Sequence, residues 1–118
     1  MEIKFLNKNK IVALEKGKQI GYLTFRHPND ISGKRNLELV YLYVKPAFRR
    51  QGMATKMLRF LLNHSKNIIW ISIWTGRQLE RDKAYELYEK IGFKEVTFQP
   101  DYYEKGAGTR LFVKRMSK

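Results

Sequence analysis

The chain has no cysteine, which excludes a disulfide framework, a thiolate zinc site and a cysteine nucleophile. Histidine is nearly as scarce. Neither His27 nor His64 stands in a ligand-like pattern, so both read as surface residues and no metal site is expected. Long apolar runs are missing as well: the longest, Ile68 to Trp74, is far short of the ~20 residues that span a bilayer. The opening Met1-Glu2-Ile3-Lys4-Phe5-Leu6 lacks the apolar stretch of a signal peptide, so a cytoplasmic domain without a membrane partner is expected. Acidic residues are few, 11 against 24 Lys and Arg, and the formal net charge is +13. That excess repels polycationic partners and favours an anion, either a polynucleotide or a phosphorylated cofactor.

What is present suffices for a core. Hydrophobic residues make up 43% of the chain and aromatics 14%, which rules out a disordered basic tail. Its 118 residues are too few for two independent cores, so residues 1–118 read as one domain. The positive charge is spread through the folding pattern, with one local cluster of Lys45, Arg49, Arg50, Lys56 and Arg59.

Period-two alternation marks strands at Ile11 to Leu14 and Ile20 to Phe25, with Gly17-Lys18 as the turn between them. His27 to Lys34 is loop by composition. Leu37 to Val44, eight residues with a single charge, reads as a central strand covered on both sides. After Pro46, a basic loop leads into a helix on which Met53/Ala54, Met57/Leu58 and Leu61/Leu62 repeat every four residues. Ile68 to Trp74 is a second buried strand. A second helix runs from about Gln78 to Ile91 and stops at Gly92. Strands near Phe93 to Phe98 and Thr109 to Arg115 close the chain, with Asp101 to Glu104 in a loop between them. Counting a first strand that ends at Leu6, the order is β-β-β-β-α-β-α-β-β, an α+β fold with a mixed sheet and helices on its faces.

The sharpest chemistry lies in Val44-Lys45-Pro46-Ala47-Phe48-Arg49-Arg50-Gln51-Gly52-Met53-Ala54. A helix N-terminus offers unpaired N–H groups and partial positive charge to an anion. Gly52 removes a Cβ that would block a phosphate, Ala54 keeps the first turn slim, and Arg49 and Arg50 add attraction. A solvated turn after Pro46 is the plainer alternative.

This string resembles the acyl-CoA signature of the GNAT superfamily of N-acyltransferases. Arg49, Gly52 and Ala54 match its (Arg/Gln)-x-x-Gly-x-(Gly/Ala) core. A second family block, Ala-x-x-x-Tyr-x-x-x-Gly-Phe, is met by Ala84, Tyr88, Gly92 and Phe93, and the Asp101-Tyr102-Tyr103 segment is similar to the family's ending. The resemblance covers roughly residues 20–115. It implies a mostly antiparallel central sheet whose middle strands, Leu37–Val44 and Ile68–Trp74, splay apart, with helices on both faces. It also implies acetyl-CoA as co-substrate and a primary amine of a small molecule or protein as acceptor.

Residue by residue, the resemblance assigns the CoA pyrophosphate to Arg49, Arg50, Gln51, Gly52, Met53, Ala54 and Thr55. The pantetheine arm falls to Leu42, Tyr43 and Val44, with the Leu42 N–H as donor to the thioester oxygen. Tyr88 takes the place of the general acid; as a plain side chain it is a core aromatic completing the helix stripe. Glu38 takes the register of the general base in the histone-acetylating branch; as a plain side chain it is a cross-strand partner for a lysine. Many members carry Asn where this chain has Arg81, which could instead reach a phosphate. Trp74, Asp101, Tyr102, Tyr103 and Glu104 are the acceptor-side residues, two acids and several aromatics suited to a cationic amine; packed tyrosines in an ordinary turn are the alternative. The family usually places two helices after its first strand, and only about five residues, near Asn7 to Lys10, occupy that place. An open acceptor side or its completion by a homodimer is therefore expected. The charge keeps a second class open: a nucleic-acid-associated member that acylates an amine carried on RNA, or a module that only binds.

Overall fold

Short polar turns join strands of alternating pattern, so most of the sheet is antiparallel. The computed structural model describes residues 1–27, 35–76 and 85–116. Its strands are β1 (Glu2–Asn7), β2 (Lys10–Glu15), β3 (Lys18–Arg26), β4 (Asn36–Val44), β5 (Trp70–Trp74), β6 (Lys94–Glu104) and β7 (Ala107–Arg115). Its helices are α1 (Met53–Asn63) and α2 (Tyr85–Ile91), and a short 3-10 turn covers Pro46–Phe48. The seven strands lie in the order β1-β2-β3-β4-β5-β7-β6, and only β4 and β5 run parallel. The α1 crossover makes that parallel pair possible. The expected α+β architecture with a mixed, mostly antiparallel sheet is what forms.

The first hairpin turn sits at Lys16-Gly17, one residue earlier than expected, with Glu15 paired to Lys18. Both turn residues have positive φ, which matches the right-handed twist of the flanking strands. β1 passes into β2 through Lys8 and Asn9 alone, so no helix stands between the first two strands.

β4 carries a bulge. Thr24 pairs with Tyr41 and Phe25 with Leu39, leaving Val40 as the extra residue. The phase shift puts Leu37 and Leu39 before it, and Leu42 and Val44 after it, on the same face. Without the bulge the second pair would point away from the core.

That face holds the core, where Ile11, Leu23, Leu39, Ile73 and Phe112 pack in one cluster with Met57, Leu58 and Leu61 of α1 and Tyr88 and Ile91 of α2. Each such buried α1 side chain contributes roughly 1.5–3 kcal/mol. Phe5 bridges β1 to α1, with ring centroids 5.2 Å from Phe60 and 6.4 Å from Phe25. Tyr88 packs 5.7 Å from Phe112 and 6.1 Å from Phe93. Arg110 lies 4.5 Å from the rings of both Tyr85 and Phe98 and pairs with Glu95 at 2.7 Å, tying α2 to the last hairpin.

Two expectations need correction here. Helices were expected on both faces, and both described helices share one. The strand over residues 37–44 was expected to be covered on both sides, yet Tyr41 is 64% exposed and Tyr43 is exposed as well. Aromatic side chains favour strands whether or not anything covers them, so the apolar run alone did not distinguish the cases. No described helix is long and apolar enough to cross a membrane.

Candidate functional site

The site begins where two neighbouring strands part. β4 pairs with β5 only from Asn36↔Trp70 to Leu39↔Ile73, while β5 continues along β7 as far as Trp74↔Leu111. Residues 40–44 of β4 therefore pair with no described strand on that side, and the expected splay is present. Its donors follow from the ladder on the other side. The Lys45 N–H donates to the Ile20 carbonyl at 2.8 Å, and alternate residues of an antiparallel pair face the same neighbour. Tyr43 and Tyr41 thus turn their N–H groups to β3. Leu42 and Val44 turn theirs into the gap. The Val44 carbonyl, also on the gap side, accepts from Arg49 Nε at 2.8 Å.

The loop beyond Val44 ends in a bare helix start. Arg50 and Gly52 adopt left-handed φ of 63° and 76°, and Gly52 is the N-cap of α1 with no side-chain cap and no acid in the first turn. The first intrahelical bond is from Lys56 N–H to Gly52 O at 3.0 Å, so the N–H groups of Met53, Ala54 and Thr55 have no partner within the helix. They line a cavity of about 230 Å³ with Val44, Arg49, Arg50, Gly52 and Leu87. Left-handed residues on either side of Gln51 curl the backbone into an anion-binding concavity, strengthened by the helix dipole. Gly52 was expected for the room it leaves. Within the protein nothing lies within 4 Å of the position its Cβ would take, and what requires glycine is the positive φ. Gln51 is exposed and its amide donates back to the Ala47 carbonyl at 3.4 Å.

Tyr88 is fully buried and its hydroxyl has no hydrogen-bond partner among the described residues. Such an oxygen costs about 1–3 kcal/mol. Burial pushes the phenol far above its ordinary value, so it stays protonated and can only act as a donor. Its neighbour Leu87 lines the loop cavity. The groups fit an acyl-CoA: backbone donors and arginines for phosphate, outward N–H groups for an amide-bearing arm, and a proton-bearing oxygen without a partner.

Glu38 points to the face opposite the described helices, where its carboxylate accepts from Arg26 at 3.0 Å. The plain reading of the sequence offered a lysine as Glu38's cross-strand partner; the partner is instead Arg26, directly opposite in register. Trp74 ends β5 on the same face, 45% exposed. Asp101 to Glu104, expected in a loop, belong to β6, which pairs with β7 up to Glu104↔Ala107. The irregularity between Gln99 and Glu104 accommodates the extra residues. Asp101, at φ 55°, accepts from the Gly106 N–H at 2.7 Å and shapes the hairpin end. Tyr102 is exposed and stacks edge-on to Tyr103 at 4.9 Å. The Tyr103 hydroxyl donates to the Thr75 carbonyl at 3.0 Å, and buried Thr109 donates to the same oxygen at 2.8 Å. This network brings the tyrosines to the end of β5 beside Trp74. Sequence reasoning missed Thr75 and Thr109, because nothing in their spacing links two threonines 34 residues apart.

Arg81 and Ala84 lie outside the described residues. Of the histidines, His64 is exposed at the end of α1, while His27 is half-buried with its Nδ1 3.1 Å from the Asn36 carbonyl. No group of three His, Asp or Glu that could hold a metal occurs among the described residues.

Residues 7–95 match the Acetyltransferase (GNAT) domain. The chain belongs to the GNAT acetyltransferase family. Among GNAT relatives, the [ribosomal protein bS18]-alanine N-acetyltransferase of Haemophilus ducreyi is 33% identical over 72 residues, 61% of this chain and 50% of that protein. N-alpha-acetyltransferase 50 of Danio rerio is 29% identical over 73 residues, 61% of this chain and 44% of that one. The chain spans about half the length of the curated relatives it matches. The ribosomal-protein-S18-alanine N-acetyltransferase of Escherichia coli shares the fold at a TM-score of 0.78 and 18% identity, over 92% of this chain and 69% of that chain. An aminoglycoside 6'-N-acetyltransferase complexed with coenzyme A does so at 0.75 and 18%, over 96% and 76%.

Proposed function

We propose that this domain transfers the acetyl group of acetyl-CoA to a primary amine by direct attack. The observation that carries the reading is the gap beside β4, into which Leu42 and Val44 turn their N–H groups just ahead of the anion-binding loop. Acetyl-CoA supplies an activated thioester; the rest is done by the chain. Met53, Ala54, Thr55 and the arginines take the pyrophosphate, and Val44 holds the arm. Leu42 donates to the carbonyl oxygen as the amine nitrogen attacks the carbonyl carbon and the oxygen gains charge. As the C–S bond breaks, the Tyr88 hydroxyl gives its proton to the sulfur. Glu38, on the acceptor face, receives the proton lost by the amine, through a water where the distance requires it.

Relatives named for acetylating the alanine of a ribosomal protein support an α-amine of a protein as the acceptor. An α-amine has a pKa near 7.7–8.0, against ~10.4 for lysine, so it reaches the neutral nucleophile at pH 7 at about a quarter of the free-energy cost. The decisive assay measures thiol release from acetyl-CoA with three acceptors: a peptide beginning with alanine, an N-blocked peptide containing lysine, and a small polyamine. Turnover with the alanine peptide is expected to exceed the others by at least tenfold. No acetyl-CoA binding up to millimolar concentration, together with no thiol release, would refute the enzyme reading.

A further inference from the structure

The face opposite the helices combines exposed rings with cations. Strand alternation puts the exposed rings of Tyr41, Tyr43, Trp70 and Trp74 there, with Trp70 41% exposed, and half-buried Tyr22 packs beside Tyr43 with ring centroids 5.6 Å apart. Cations accompany them: Lys10 Nζ lies 4.6 Å from the Tyr22 ring, and the Arg115 guanidinium 5.6 Å from Trp70. Register brings Lys4, Arg26 and Lys94 to the same side, where the acids among the described residues include Glu38, held by Arg26, with Glu2 and Glu104 at the two ends of the sheet. No described helix covers this face.

Flat rings flanked by cations on an open sheet are what unpaired bases and their phosphates require, bases stacking on the rings and phosphates meeting the side chains. A second copy, the homodimer expected from the sequence, fits worse. Joining two such faces brings like charges together, in a chain whose net charge is +13.

We propose that this sheet face binds single-stranded RNA across β2 to β5 and β7, with bases stacked on Tyr22, Tyr43 and Trp70 and with Lys10 and Arg115 on phosphates. The surface adds a partner to the acyltransferase reading and does not depend on it, because binding is measured without acetyl-CoA.

The test is fluorescence anisotropy of a labelled 12-nucleotide oligouridylate with the full chain at two salt concentrations. Trp70→Leu, which keeps apolar cover but removes the stacking plane, is expected to weaken binding about tenfold. Lys10→Gln with Arg115→Gln is expected to lower the salt dependence by roughly two phosphate contacts. Acetyl transfer to a short free peptide should be unchanged in both variants. Circular dichroism guards against a folding defect, and a Tyr22→Leu variant provides an independent second ring. Equal affinity for a blunt RNA duplex would overturn the proposal, because stacking on rings needs unpaired bases. So would Trp70→Leu and Tyr22→Leu binding like the wild type, or a concentration-dependent dimer that blocks the oligomer.

Discussion

Removing one oxygen from Tyr88 separates stability from chemistry. The buried hydroxyl has no partner among the described residues, so Tyr88→Phe should raise the unfolding free energy of the ligand-free protein by about 1 kcal/mol. The same change should lower kcat by a hundredfold or more if the hydroxyl protonates the leaving sulfur. Chemical denaturation and steady-state kinetics on one preparation check both, and unchanged kcat would return Tyr88 to the core. The pH dependence has a definite sign. The folded phenol is raised from 10.0 by burial, so its contribution to stability is complete below about pH 10 and is lost as pH climbs from there toward the raised folded value. The difference in stability between the wild type and Tyr88→Phe should therefore change only above pH 10. Glu38→Gln addresses the other half of proton transfer. It removes the charge that holds Arg26 but keeps the size, so a slower rate with an altered pH profile marks a base, whereas an unchanged profile leaves only the Arg26 pair.

At the scale of elements, the β6–β7 hairpin is tied to the end of β5, on the side proposed to take the acceptor, through contacts to the Thr75 carbonyl. A Cβ on Gly108 would lie 2.6 Å from the Phe98 ring and 2.7 Å from the Gln99 carbonyl oxygen. The ring has some freedom to move; the carbonyl belongs to a paired strand and does not. Gly108→Ala should therefore cost about 1–3 kcal/mol in denaturation. It should also raise the KM for the amine more than that for acetyl-CoA, because Tyr103 and Thr109 converge on Thr75 beside this residue. Equal shifts in both KM values would show that the hairpin has no special relation to the acceptor. The bulge at Val40 is the matching device in β4, since it keeps Leu42 in phase with the core while its backbone faces the gap. A trace of it is readable in the sequence: apolar residues at 37 and 39, then at 42 and 44, break strict alternation.

For the molecule as a whole, a net charge of +13 on 118 residues makes self-repulsion a real term. Adding monovalent salt should raise Tm, because screening relieves that repulsion faster than it weakens exposed pairs such as Arg26–Glu38. A Tm that falls on going from low to moderate salt would mean that local pairs outweigh the net charge. With no helix between β1 and β2, the face proposed to take the acceptor is covered by no described helix. That openness was legible from the mere handful of residues between the first two strands, whereas its consequence, exposed rings on a central strand, was not.

The sequence by itself determined the order along the chain of the strands and of the two described helices, the stop at Gly92, the bare helix start after Gly52 and the family. Each rests on local spacing or a local backbone demand that residue types declare. Tertiary structure decided which face the helices share, where β4 leaves β5, that Leu42 and Val44 turn their N–H groups into the gap, and that Glu38 meets Arg26. Those outcomes depend on strand order, on a one-residue bulge and on contacts between residues far apart in the chain. No local pattern carries them, because side-chain chemistry specifies what each segment prefers and only packing specifies what it meets.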